Sequence, residues 1–275
     1  MNKANICQLE RIARELRGEI VRNSSFNKIP HLGSCLSVLD ILVYLYFYKT
    51  NLKKSSFKTH KRDKIVLSKG HAAPALFWVL NKKKLLNFDL EEEYKKNISF
   101  VGEHPPIPSE INSIEAATGS LGHGFSMSIG MALSNKINNY DNSVYTVLGD
   151  GELNEGVVWE GSMFASKNRL NNLTVFVDFN KWQATGRSEE ILDISNLVKR
   201  WHTFGWDAID IDGHSFSSLD NALNHFKISH KPKIIICNTI KGKGVSFMED
   251  DNNWHYRTPN KSELDQALKE LEVNF

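Results

Sequence analysis

Along the chain, apolar positions fall into two kinds of pattern. Leu9, Ile12, Leu16 and Ile20 recur at helical spacing and predict an amphipathic helix that opens the chain. Ser37 to Tyr48 is almost continuously apolar and predicts a buried helix. Short runs rich in β-branched residues follow at Lys64–Leu67, Val144–Leu148, Leu173–Val177, Asp207–Ile211 and Lys233–Cys237. Most are separated by helical or Gly-rich stretches, and a charged, helix-like tail covers Ser262 to Leu271. Strands apolar on both faces, alternating with helices, predict a parallel sheet covered on two sides, an α/β architecture. In such sheets ligands bind at the C-terminal ends of the strands, and the unusual residues of this chain fall there. No repeat, low-complexity tract or Pro/Gly/Ser-rich linker divides residues 1–275, so one domain is expected.

Composition narrows the class. At 275 residues, 41% hydrophobic and 24% charged, the chain can bury a sizeable core, and disorder, collagen and coiled coil fit poorly. Lys plus Arg number 34 against 32 for Asp plus Glu, a net +2 that gives no electrostatic reason to expect nucleic acid. Lys82-Lys83-Lys84 reads as a solvated loop or helix end. Cys7, Cys35 and Cys237 are odd in number and too far apart for a CxxC metal site, so free thiols in a reducing compartment are expected. Met1 to Arg22 is charged throughout, and the longest apolar run, Ile41 to Tyr48, is far below the roughly 20 residues of a membrane span. A soluble, cytoplasmic protein without leader or membrane anchor is the expectation.

The strand Val144–Leu148 runs into Gly149-Asp150-Gly151, and Leu173–Val177 into Asp178-Phe179-Asn180. Glycines on both sides of a carboxylate let the backbone turn and approach a ligand while the carboxylate points outward. Asp150 and Asn180 lie 30 positions apart (180 − 150), the length of one β-α-β unit, which sets two strand ends side by side. Their oxygens, completed by a backbone carbonyl and phosphate oxygens, form a hard set suited to Mg²⁺ or Ca²⁺. Either fragment alone reads equally well as a tight turn. In order, across one unit, they are far more specific.

The stretch GDGELNEGVVWEGSMFASKNRLNNLTVFVDFNKWQ, Gly149 to Gln183, resembles the thiamine diphosphate signature in its transketolase form. The likeness extends over nearly the whole chain through HLGSC at His31, Ser68-Lys69-Gly70-His71-Ala72, Gly102-Glu103-His104-Pro105, Thr118-Gly119-Ser120-Leu121-Gly122, Ile211-Asp212-Gly213-His214 and Lys241-Gly242-Lys243-Gly244. It implies a three-layer thiamine diphosphate-binding fold with a mainly parallel central sheet. By resemblance, Asp150, Asn180 and the carbonyl of Trp182 hold the metal, and Gly151 lets the backbone approach the diphosphate. Gly119, Ser120 and Leu121 lie against the cofactor rings, and Ser34, His71 and Lys241 are further cofactor contacts. His31, His71, His104 and His255 resemble the histidines around the reaction centre, where imidazole can bind sugar hydroxyls and shuttle protons near neutral pH.

Taken singly, His71 and His104 read as ordinary loop residues, and His255 falls in a polar segment, Glu249 to Arg257, expected to be mobile. His60, His202, His225 and His230 have no motif around them. Glu155 and Glu160 could merely favour a helix N-terminus; by resemblance they sit at a subunit interface and connect cofactor sites.

Within the signature, His123 stands where many transketolases have Gln, and Trp182 where they have a small aliphatic residue. The larger departure is length. The pyrimidine-binding and C-terminal domains of a full transketolase are missing, and with them the groups that activate the cofactor ring. The expectation is therefore the diphosphate-binding subunit of a split transketolase, inactive alone and paired in an α2β2 assembly with a separate chain. Its substrates would be sugars or sugar phosphates. The competing readings are an E1α subunit of a 2-oxo acid dehydrogenase, a deoxyxylulose phosphate synthase, and a non-catalytic scaffold. The histidine set and the LNEG stretch favour ketol transfer, and intact Asp150, Gly151 and Asn180 speak against a scaffold.

Overall fold

The helical spacing at Leu9, Ile12, Leu16 and Ile20 produces α1 (Lys3–Asn27), and all four side chains are buried. Asn2 starts the helix by accepting the N–H of Asn5, and Lys28 stops it in left-handed backbone. The computed structural model describes residues 1–96, 98–192 and 195–275.

The next helix, α2 (Leu32–Tyr44), begins five residues before the expected Ser37. Gly33, Ser34 and Cys35 are weak helix formers, so the local signal starts late; burial of the whole first turn overrides it. After Tyr44 the helix widens into one π turn, Leu45–Lys49. Leu32–Lys49 is long and apolar enough to cross a membrane, which the shorter run at Ile41–Tyr48 did not suggest, but 83% of it is buried inside the protein.

The remaining elements are β1 (Lys64–Leu67), α3 (Ala73–Lys82), α4 (Leu90–Tyr94), α5 (His123–Ile137), β2 (Val144–Gly149), α6 (Gly156–Lys167), β3 (Leu173–Phe179), α7 (Ser188–Ile191), α8 (Leu197–Thr203), β4 (Asp207–Asp212), α9 (Phe216–His225), β5 (Lys233–Asn238) and α10 (Lys261–Glu270). The five strands form one parallel sheet in the order β1-β2-β3-β5-β4. Four of them run one or two residues past the apolar stretch. Gly149, Asp178 and Asn238 are polar or small but remain in register on the ladder.

Alternation along the strands divides the core. Tyr145, Val147, Phe176, Ile235 and Cys237 face a layer of α1, α2, α3, α9 and α10. Val144, Leu148, Val175, Val177, Ile234 and Ile236 face the layer of α5, α6 and α8, where Phe125, Trp201 and Trp206 interlock. Burial on both faces explains why these strands read as unbroken apolar runs. Cys7, Cys35 and Cys237 are all free thiols. The chain leaves β2 and β3 toward the α6 and α8 face and leaves β5 toward α10, so a crevice opens above the sheet where the exits part.

Candidate functional site

A cavity of about 510 Å³ sits over the C-terminal ends of the strands. Its floor is built on Asp178, next to last in β3 and fully buried. Lys69, just past β1, pairs with this carboxylate. Ser37 Oγ on α2 donates to it at 2.6 Å and Thr239 Oγ1, just past β5, at 2.5 Å. A single carboxylate thus ties three strand ends to α2. A buried charge is tolerable only with such complete pairing.

On that floor Asp150 and Asn180 stand at the ends of β2 and β3, which pair directly through Gly149 and Asp178. Asp150 accepts the N–H of Gly151 at 2.9 Å and the Ser188 hydroxyl at 2.8 Å. Burial pushes its carboxyl up to about 6, so its negative charge lacks a full counter-charge. Asn180 donates to Ser37 Oγ at 3.1 Å, and its Oδ1 accepts the N–H of Trp182 at 3.0 Å. Nearby, Asn154 Oδ1 and Gln183 Nε2 are buried with no hydrogen-bond partner among the described residues. An under-compensated carboxylate, an amide oxygen and unpaired polar atoms suit a hard cation bridging to phosphate oxygens. No group of three His, Cys, Asp or Glu that could hold a metal occurs among the described residues, so beyond the Asp150 carboxylate such a cation would rely on neutral oxygens and on the ligand's own.

Four imidazoles crowd beside this pocket. The His31 ring lies 5.4 Å from His71, 6.1 Å from His104 and 5.0 Å from His255 between centroids, and His71 lies 5.7 Å from His255. His31 turns the chain into α2 with φ 64°, and its N–H donates to the His255 carbonyl at 2.7 Å. Its Nδ1 is buried without a hydrogen-bond partner among the described residues, 3.7 Å from the Glu103 carboxylate. Burial, then the charges of His104, Lys241 and Lys69, hold His31 down to about 4. His255 is held down to about 3 by burial and by Lys241, and His71 well below the ordinary imidazole value by burial and by Lys69. All three are therefore neutral near pH 7. Lys241 Nζ lies 3.1 Å from His255 Nδ1 and 2.6 Å from Asn252 Oδ1. A lysine has only donors to offer, so Nδ1 accepts and His255 carries its proton on Nε2. Gly33 makes room for this, since a Cβ there would meet the Lys241 side chain at 2.9 Å.

Residues 11–274 match the family described as transketolase, thiamine diphosphate binding domain. The chain belongs to the transketolase family. It is 34% identical over 245 residues to one subunit of the apulose-4-phosphate transketolase of Phocaeicola vulgatus, covering 89% of this chain and 86% of that protein. It is 37% identical over 245 residues to the 6-deoxy-6-sulfo-D-fructose transketolase subunit SqwG of a Clostridium species, covering 89% of each. The crystal structure of Campylobacter jejuni transketolase superposes with a TM-score of 0.87 at 26% identity, over 100% of this chain but only 44% of that one. The chain thus spans less than half of that transketolase and most of each subunit-sized relative.

Within this transketolase domain the sequence-derived residues sort by position. Ser34, His71, Leu121, Asp150, Gly151 and Asn180 line the cavity. Trp182, Glu155 and His255 complete its wall. His31 and His104 join through ring contacts, and Lys241 through His255. Gly119 packs on His104, whose ring would lie 3.1 Å from a Cβ at that position; Ser120 is exposed beside it. Glu160 lies outside the cavity on the exposed face of α6, and Glu155 is exposed at that helix's N-cap. His255 is not in a loose segment. It closes a 3-10 turn, Asn252–His255, and is 8% exposed, because its carbonyl and ring are both engaged. His123 begins α5 and is exposed.

Sequence reasoning overlooked Lys69, Asp178, Ser188 and Glu152. Lys69 and Asp178 lay inside recognised motifs without being singled out. Ser188 had no motif. Glu152, rather than Glu155, is the buried carboxylate: it accepts from Ser68, from Gly122 N–H at 2.7 Å and from Gly149 N–H at 3.3 Å. Its place directly after Gly149-Asp150-Gly151 was the available signal.

Proposed function

We propose that this chain is the diphosphate- and Mg²⁺-binding subunit of a two-component transketolase. It would move a two-carbon ketol unit from a ketose donor to an aldose acceptor in the cytoplasm. The observation that carries this reading is the union, in one cavity, of the Asp150 and Asn180 donor pair with His71 and His255, and with the His31 and His104 rings packed beside them. Two relatives of similar length are named as subunits of transketolases for a keto-sugar phosphate and a sulfonated keto sugar.

Asp150, Asn180 and the carbonyl of Trp182 would hold Mg²⁺, or Ca²⁺ in its stead, against the diphosphate of thiamine diphosphate. Gly151 would leave room for that diphosphate, and Ser34 and Lys241 would add contacts. Gly119, Ser120 and Leu121 would lie against the rings. When bound, thiamine diphosphate supplies the carbon centre at which the carbon–carbon bond is broken and made. The chain's own task is binding and proton transfer. His31 and His71, held neutral by burial, can each accept a hydrogen bond from a sugar hydroxyl. His255, with Lys241 on Nδ1, offers an Nε2–H to an oxygen that gains negative charge. His104 would complete the hydroxyl-binding wall.

A second polypeptide would bring the pyrimidine-binding domain, forming an α2β2 assembly across the cavity mouth. Met127, Met163 and Phe164 expose apolar surface on α5 and α6, and Glu155 and Glu160 are exposed on the same α6 segment. These are the groups a partner would cover. The test is ketol transfer by this chain, by the pyrimidine-domain chain and by their mixture. Turnover only in the mixture, dependent on thiamine diphosphate and Mg²⁺, is expected. Turnover without thiamine diphosphate, or none in any mixture that forms a complex, would refute the reading.

A further inference from the structure

The segment after Asn180 folds into a small hairpin. Trp182 and Arg187 bridge antiparallel, Gln183 N–H donates to the Gly186 carbonyl at 2.9 Å, and Ser188 N–H to that of Lys181 at 3.0 Å. Ser188 pins its base to Asp150, and Trp182, Gln183 and Ala184 form one wall of the cavity. On the other side, the loop from Ile240 to His255 carries Lys241 and His255. One carboxylate joins the two. Arg187 grips Asp250 through both terminal nitrogens at 2.6 Å, Trp182 Nε1 donates to Asp250 Oδ1 at 2.8 Å, and the guanidinium lies 3.8 Å over the Trp182 ring.

From this juxtaposition we propose that Asp250 is a positioning residue that clamps the Trp182–Ser188 hairpin to the Lys241 loop and so holds the cofactor cavity closed. The clamp reaches both halves of the site. Asp250 N–H donates to the Lys241 carbonyl at 2.8 Å, and Asn252, which accepts from Lys241 Nζ, donates to the Ala184 carbonyl at 3.2 Å. Both sides also hold unusual backbone. Lys181 has φ 69° and Asp250 φ 59°, a region that non-glycine residues occupy only where surroundings enforce it. An isolated exposed ion pair contributes little. A planar fork on a carboxylate, stacked on an indole that shares the same oxygen, fixes orientation as well as distance. Trp182, which stands where a small aliphatic side chain is common in the family, is thereby drawn toward Asp250.

The clamp concerns cofactor retention and so rests on the proposed thiamine diphosphate site, but it has a readout of its own. Arg187 is a trypsin site guarded by Asp250. In the assembled complex with Mg²⁺, Asp250→Ala should speed cleavage after Arg187, and dissociation of thiamine diphosphate, each on the order of tenfold. NaCl should accelerate both in the wild type and not in the variant. Asp250→Glu should restore part of the protection, and Arg187→Gln should match Asp250→Ala in cofactor release. Unchanged cleavage and unchanged release in Asp250→Ala would overturn the clamp. If the wild-type complex binds no thiamine diphosphate, the reading of the site fails, and the cleavage comparison alone decides for or against the clamp.

Discussion

His31, His71 and His255 are imidazoles that folding keeps from charging, and stability must depend on pH accordingly. Their folded pKa values are lowered, to about 4 for His31 and about 3 for His255. Below the unfolded value near 6.5 the unfolded chain binds protons that the folded chain refuses, so stability is complete above that pH and falls as pH drops toward the folded values. Asp150, with its carboxyl raised to about 6, works in the opposite sense, since its folded form takes up a proton first. His255→Asn leaves Asp150 in place and removes one contributor. Urea midpoints should therefore fall less between pH 7 and pH 5 in this variant than in the wild type, and an identical fall would contradict the assignment. His255 also shows where reading the chain locally fails. Its neighbours Asn252, Asn253 and Arg257 are polar, which suggests mobility, while its burial comes from Lys241 and His31, distant in sequence. Asp150 and Asn180 were readable because their spacing is a property of one β-α-β unit.

Elements were legible to different degrees for a physical reason. Every strand start was visible: two-sided burial gives β1, β2, β3 and β5 nearly unbroken apolar runs, while the edge strand β4 shows itself by the alternation of Ala208, Ile209 and Ile211 with aspartates. The start of α2 was not, because packing rather than propensity makes Leu32–Leu36 helical. The N-terminus of α5 is likewise set by remote groups: Gly122, its N-cap, has no side chain to accept a first-turn N–H, and Glu152, from beyond β2, holds the cap by accepting the N–H of Gly122 itself. Ser68 adds a second link, donating to Glu152 while accepting the Phe125 N–H at 2.9 Å. Glu152→Ala leaves the Gly122 and Gly149 N–H groups and the Ser68 hydroxyl short of an acceptor. Each buried donor so orphaned costs about 1–3 kcal/mol, so a clear drop in the urea midpoint is expected, with Glu152→Gln recovering part of it. A midpoint equal to the wild type would show that this carboxylate does not brace the helix start.

At the scale of the molecule, one sheet gathers the Asp150 and Asn180 pair and an imidazole cluster over the C-terminal ends of its strands, and the chain belongs to the transketolase family. The match covers 44% of the Campylobacter jejuni transketolase; in the two-component enzyme proposed above, a second chain would meet this one at the cavity mouth. The α5 and α6 face, apolar and exposed at Met127, Met163 and Phe164, is available for such a contact. The fold, and the nearness of Asp150 to Asn180, could be read from the sequence because one β-α-β unit sets its two strand ends side by side. The Asp250 clamp and the Asp178 floor could not, since they join segments that no single motif contains.

The central claim is that Asp150 and Asn180 bind thiamine diphosphate through a divalent cation, and calorimetric titration of the cofactor into the assembled complex addresses it directly. With Mg²⁺ the wild type should bind, and chelation of the metal or Asp150→Ala should each weaken binding by on the order of 100-fold or more. Equal affinity in wild type and Asp150→Ala, with or without Mg²⁺, would contradict the account.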